Sequence, residues 1–181
     1  LKILRIQKNY KLASRKIKTL LTDDKFKRIA GNLELELVNL YKAEGEFDEI
    51  EIRLKSIVND YQRTKVSAEA YYQLGEIYIS KKWDLEKAKS YFEKVSKESN
   101  KSLFSSSAKS KVSAINTYQK SEQDIQIINA SEMEQYVTDS TRNVSVALPL
   151  KSLPELYYQL ADLEAFSFSR YTAVSYTHLR A

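Results

Sequence analysis

Glu44, Glu46 and Asp48 place three carboxylates within five residues. General acid–base catalysis and hard metal ions both use this residue type. Their neighbour Gly45 marks a turn, and there the same charges favour the positive N-terminus of the helix that follows. The sequence supports that reading over metal or proton chemistry. Other chemistries lack their residues. There is no cysteine, and the one histidine is His178, so neither a Cys nucleophile nor a His-based triad is readable. Three scattered glycines do not make a phosphate loop. Ser105-Ser106-Ser107 reads as a weak helix start. No catalytic residue, metal ligand, cofactor site or small-molecule substrate is expected, and the chain reads as no enzyme.

The elements that would position any site are helical. The chain has 181 residues, 43% hydrophobic and 29% charged, which fits a globular protein. Three glycines and two prolines are too few for an all-β fold with many tight turns. No apolar run approaches the ~20 residues of a membrane-spanning helix. One pattern recurs: Tyr10/Ala13/Ile17/Leu20, Phe47/Ile50/Leu54/Ile57 and Leu85/Ala88/Phe92/Val95, at intervals of 37 and 38 residues. A second motif, Tyr71-Tyr72-Gln73-Leu74-Gly75-Glu76-Ile77, returns 86 residues later as Tyr157-Tyr158-Gln159-Leu160-Ala161-Asp162-Leu163. Repetition at such a period predicts stacked helical hairpins that bury their apolar faces on one another.

Residues 1–128 are expected to hold a partial first repeat, hairpins at about 24–61 and 68–97, and a further helix at 108–128. The first helix carries Leu4, Tyr10, Ala13, Ile17 and Leu20 as its stripe. Thr22-Asp23-Asp24 can cap the second helix, and Gly45 can end it in the left-handed conformation. The helix at 108–128 has a thin stripe of Val112, Ile115 and Ile127. Residues 129–151 read as an irregular insert or linker. Ser152-Leu153-Pro154-Glu155 combines an N-cap, an early Pro and a capping-box Glu, and opens a further repeat at 152–174.

Tyr71, Leu74, Gly75 and Tyr78 share one helix face. Gly inside a helix costs roughly 1 kcal/mol against Ala, which is justified if a partner helix passes close to Gly75. Ala88 is the expected small residue opposite, with Tyr71, Tyr78 and Phe92 filling the space around the crossing. Tyr71-x-x-Leu74-Gly75-x-x-Tyr78, followed by Ala88, Phe92 and Val95, resembles a tetratricopeptide repeat (TPR). A more degenerate copy keeps Leu37, Tyr41, Leu54 and Ile57 but has Val38 and Ile50 where the family prefers small residues. The family period is ~34 residues; here it is longer, and Gln62 replaces the closing Pro.

The resemblance implies an all-α solenoid of antiparallel helical hairpins that acts as a protein–protein adaptor. The long link from Asp60 to Ala68 is similar to those of bacterial envelope TPR proteins, including those of outer-membrane barrel assembly and the Tol–Pal system. That similarity points to the periplasm or outer-membrane periphery and leaves the cytoplasm open. In such a stack the first helix of each hairpin lines the groove. The expected partner groove is then Leu35, Asn39, Lys42, Tyr72, Glu76, Ile79, Tyr158 and Asp162, able to grip a protein or peptide by stacking and hydrogen bonds. The simpler reading is an ordinary solvent-facing helix surface. Leu35 sits where the family's carboxylate clamp needs a cation.

Residues 1–28 carry a net charge of +8 and the remainder −3. Lys8, Lys11, Arg15 and Lys18 form a stripe that could attract nucleic acid or an anionic membrane. It lacks interleaved aromatics, and a solvated Lys-rich face is favoured over either partner. A regulatory or docking module of a larger enzyme stays open as the alternative function. The chain starts inside a helical pattern, and Ser175 to Ala181 resembles translated adapter read-through, so it reads as a fragment with an artefactual tail.

Overall fold

The computed structural model describes residues 7–137 and 149–171. Expectations about residues 1–6, 138–148 and 172–181, among them Leu4, His178 and the tail, lie outside the described residues. Within them every regular element is helical and there is no strand. The helices are α1 (Tyr10–Leu21), α2 (Ala30–Glu44), α3 (Phe47–Asp60), α4 (Lys65–Ile77), α5 (Leu85–Glu98), α6 (Ser105–Val137) and α7 (Leu153–Asp162). A 3-10 segment, Asp24–Ile29, precedes α2, and π-helical turns Tyr78–Lys82 and Leu163–Ser167 extend α4 and α7. The chain divides at Lys109/Ser110 into two compact units.

In the first unit α1 packs on α2, α2 on α3, α3 on α4 and α4 on α5, and α2 also touches α4. The recurring pattern explains why. Its second positions, Ala13, Ile50 and Ala88, and its third, Ile17, Leu54 and Phe92, are all at most 1% exposed. Each large side chain so buried contributes about 1.5–3 kcal/mol. The pattern's first positions are not core: Phe47 is exposed, and Tyr10 and Leu85 are half-buried. Leu37, Tyr41, Leu74, Gly75 and Tyr78 are buried, and Tyr71 is half-buried.

Local signals set most boundaries. Gly45 ends α2 at φ 83°, a left-handed conformation that costs glycine no Cβ clash. Glu155 accepts hydrogen bonds from the backbone N–H and the hydroxyl of Ser152, at 2.8 and 2.7 Å, closing the start of α7. Asp23 does act as a cap, accepting from Lys25 N at 3.0 Å, but what it caps is the 3-10 segment. Helix α4 starts three residues before the expected Ala68. Thr64 Oγ1 accepts from Ser67 N, and Thr64 N donates to Ser67 Oγ, a reciprocal cap that satisfies two otherwise free donors.

Two expectations are corrected. Helix α6 does not stop at Ile128 but continues to Val137, so the first part of the expected irregular segment is helical. No Gly or Pro interrupts 105–137, and the Ser131 hydroxyl donates back to Ile128 O at 2.7 Å. Its buried stripe is Ile115, Tyr118, Ser121 and Ile125, while Ile127 is exposed. The second correction concerns Gly75. A Cβ there would meet the Phe92 ring at 2.6 Å. The three heavy atoms nearest that position all belong to the Phe92 ring, so the ring rather than the expected Ala88 makes the closest approach.

The motif that repeats at 86 residues repeats in conformation. Both copies run from α-helix into a π turn. Trp83 and Ser169, 86 apart, both take positive φ (51° and 56°). Asp84 N donates to Tyr78 O at 3.0 Å, and Arg170 N donates to Glu164 O at 2.8 Å. Each π turn thus closes by the same bond at the same offset.

Candidate functional site

Helices α2 and α4 bring part of the expected groove together. At the end of α2 the Lys42 ammonium donates to Gln73 Oε1 at 3.2 Å. Gln73 Nε2 in turn donates to Glu69 Oε1, one turn earlier on α4, at 3.2 Å. Desolvation lowers the Lys42 pKa, against the opposing pull of Glu76 and Glu69. Burial raises that of Glu69; the Gln73 bond and Lys42 oppose the rise, and Glu36 adds to it. One cation and several carboxylates thus share a partly dried surface, bridged by an amide that both donates and accepts. Glu69 and Gln73 were absent from the expected groove. Their signal was the i, i+4 spacing on the face that carries Glu76.

Glu76 acts on Lys42 and on Tyr72, so these stay on one surface, and Leu35, Ile79, Tyr158 and Asp162 separate from it. Tyr72 is half-buried, its ring 5.4 Å from Phe92 and 4.9 Å from Phe104. Asn39 and Glu76 are half-buried. Leu35 and Ile79, at 5% and 1% exposure, are core residues and leave the groove. Both are apolar and lie beside the main stripe, and neighbouring helices cover them. Tyr158 and Asp162 are exposed on α7 in the second unit.

Cations held by a ring and a carboxylate together form a further theme of the first unit. Glu51 accepts from Lys55 (2.8 Å), Lys82 (2.5 Å) and the Tyr78 hydroxyl (2.9 Å), and the Lys82 ammonium lies over the Tyr78 ring. Burial alone would raise the Glu51 pKa, but these donors outweigh it and hold it at about 2. Arg53 lies 5.3 Å over the Tyr41 ring and pairs with Glu34 at 3.2 Å. Lys87 pairs with Asp84 at 3.0 Å and faces the Tyr78 ring at 5.8 Å.

The basic stripe of α1 does not stand alone. Lys11, Arg15 and Lys18 line one side of an open cleft of about 870 Å³ that Glu44, Glu46 and Glu49 also line. Opposite charges meeting in one cleft weaken its field for a polyanion. Among the described residues no group of three or more His, Cys, Asp or Glu is placed to hold a metal ion, and no helix is long and apolar enough to cross a membrane.

In the second unit the Tyr118 hydroxyl donates to Glu164 Oε1 at 2.8 Å, and its ring meets Phe168 edge-on. Burial and the carboxylate push this phenol far above its usual range. Arg170 stands 3.9 Å from the other Glu164 oxygen. Glu164 is the 86-residue counterpart of Tyr78. Tyr78 donates to a Glu on the preceding helix, and Glu164 accepts from a Tyr on the preceding helix. The two copies exchange the partners of one Tyr–Glu bond, part-buried in the first copy and buried in the second. No protein-family model, curated protein or solved structure matches this chain.

Proposed function

We propose that this chain is a TPR-like interaction scaffold that presents its first-helix surfaces to a protein or peptide partner. The observation that carries the reading is the Lys42–Gln73–Glu69 chain across α2 and α4. It orders polar side chains of both signs across two helices, beside the half-buried Tyr72 and Glu76. Such a surface selects partners by charge and hydrogen bonding more than by apolar area. The sequential packing of α1 to α5, with α2 touching α4, supports the repeat arrangement. The resemblance to envelope TPR proteins favours a role in a bacterial envelope assembly.

Panning a displayed random-peptide library against the protein tests this. Selected peptides should bind Lys42→Glu and Glu76→Lys at least tenfold more weakly. Ile52→Ser, at an exposed position of α3, should bind them like the unaltered protein. Equal binding to all three variants overturns the proposed surface.

A further inference from the structure

Helix α7 exposes an aromatic and acidic stripe. Glu155, Tyr158, Asp162 and Phe166 are all exposed, Tyr158 by 68% and Phe166 by 77%. In a straight α-helix a residue eight positions on drifts by about 80°. The wider π turn at Leu163–Ser167 advances less per residue, which keeps Phe166 closer to the line of Tyr158 and Asp162. Two large rings and two carboxylates therefore stand on one solvent-facing strip.

The first unit shows what this protein does with such pairs. Tyr41 with Glu34 holds Arg53, Tyr78 with Glu51 holds Lys82, and Tyr78 with Asp84 holds Lys87. In each case the cation takes both a ring face and a carboxylate oxygen. On α7 the rings and carboxylates are present without the cation. Among the described residues no cation lies over Tyr158 or Phe166, and none pairs with Asp162. Glu155 is engaged by Ser152, and its neighbour Lys151 donates to Gln159 Oε1 at 2.5 Å.

We propose that the Tyr158–Asp162–Phe166 strip of α7 docks a Lys/Arg-bearing segment of a partner protein. Charge complementarity selects the occupant. A carboxylate between two exposed rings offers a cation one salt bridge and two ring faces, whereas an acidic segment would meet Glu155 and Asp162 as like charges. The rings also bring the large, rigid contact area that anchors most interfaces. The inference rests on the scaffold reading only in treating an exposed first-helix surface as a partner surface, and it names the class of partner.

The test uses the full chain and a fluorescently labelled synthetic peptide with the sequence of residues 8–22, which carries five Lys/Arg and no carboxylate. Binding is read by anisotropy. Asp162→Lys, and Tyr158→Ser combined with Phe166→Ser, should each weaken binding at least tenfold while circular dichroism stays unchanged, since all three positions are exposed. Tyr158→Phe, which keeps the ring, should stay within about twofold. A control peptide with Gln at the five basic positions should not bind. Binding that is the same in Asp162→Lys and in the unaltered protein overturns the proposal, as does equal binding of the Gln peptide. Self-association in sedimentation that Asp162→Lys abolishes would overturn the foreign partner and assign the strip to a second copy. The Lys42 and Glu76 variants should bind the basic peptide normally, so loss of the α7 site and loss of the α2–α4 surface are read separately.

Discussion

Glu51 gathers Lys55, Lys82 and Tyr78 around one carboxylate, and the arrangement has a consequence for pH. Its pKa falls from the ordinary 4.5 to about 2 on folding. The unfolded chain therefore binds the proton more tightly, and the stabilisation is fully present above pH 4.5. It is lost as pH falls through the folded value near 2. Two of the donors are exposed lysines, so screening reduces the effect. Glu51→Gln is expected to cost about 1–2 kcal/mol at pH 7, measured by urea unfolding. The difference between variant and unaltered protein should shrink steadily from pH 4.5 to pH 2. A constant difference over that range would show that the carboxylate charge is not what the three donors stabilise. Only the Glu51–Lys55 spacing was legible in the sequence. Tyr78 and Lys82 arrive from 27 and 31 residues away, beyond the reach of any local pattern.

The crossing of α4 on α5 depends on Gly75. The buried Phe92 ring occupies the place of a Cβ and is itself braced edge-on by Tyr72. Gly75→Ala gains roughly 1 kcal/mol in helix propensity. It forces about 1–3 kcal/mol of overpacking on a ring with little room to move. A net loss of stability is expected, read as a lower thermal midpoint. Adding Phe92→Leu should recover part of it, giving a coupling between the two sites of at least 0.5 kcal/mol in a double-mutant cycle. Additive losses would mean the ring and the glycine do not compete for one space. That a partner approaches closely at Gly75 follows from placing a helix-weakening residue on a buried face. Which residue approaches does not follow. Ala88 and Phe92 lie one turn apart on the same face of α5, and only the offset between the two helices selects the ring.

Two compact units divide the chain at Lys109/Ser110, and each has its own core. Leu54 belongs to the cluster that joins α1 through α4, while Ile115 is fully buried in the second unit. Truncating either to Ala should cost about 2–5 kcal/mol locally. Amide exchange followed by mass spectrometry should speed up in α2–α4 for Leu54→Ala and in α7 for Ile115→Ala, because units with separate cores open separately. Uniform acceleration by both would mean one cooperative core. The sequence by itself determined what depends on near neighbours: that the described chain is helical, that α2 ends at Gly45, that α7 begins at Ser152, and that the recurring pattern marks a buried face. These follow from a 3.6-residue period, a left-handed glycine and a cap, all set within a few residues. Tertiary structure alone decided that Leu35 and Ile79 are covered, that Tyr158 is not, and that Tyr118 meets Glu164 across 46 residues. Whether a face is buried is settled by which other helix passes over it, and the spacing within one helix carries no record of that.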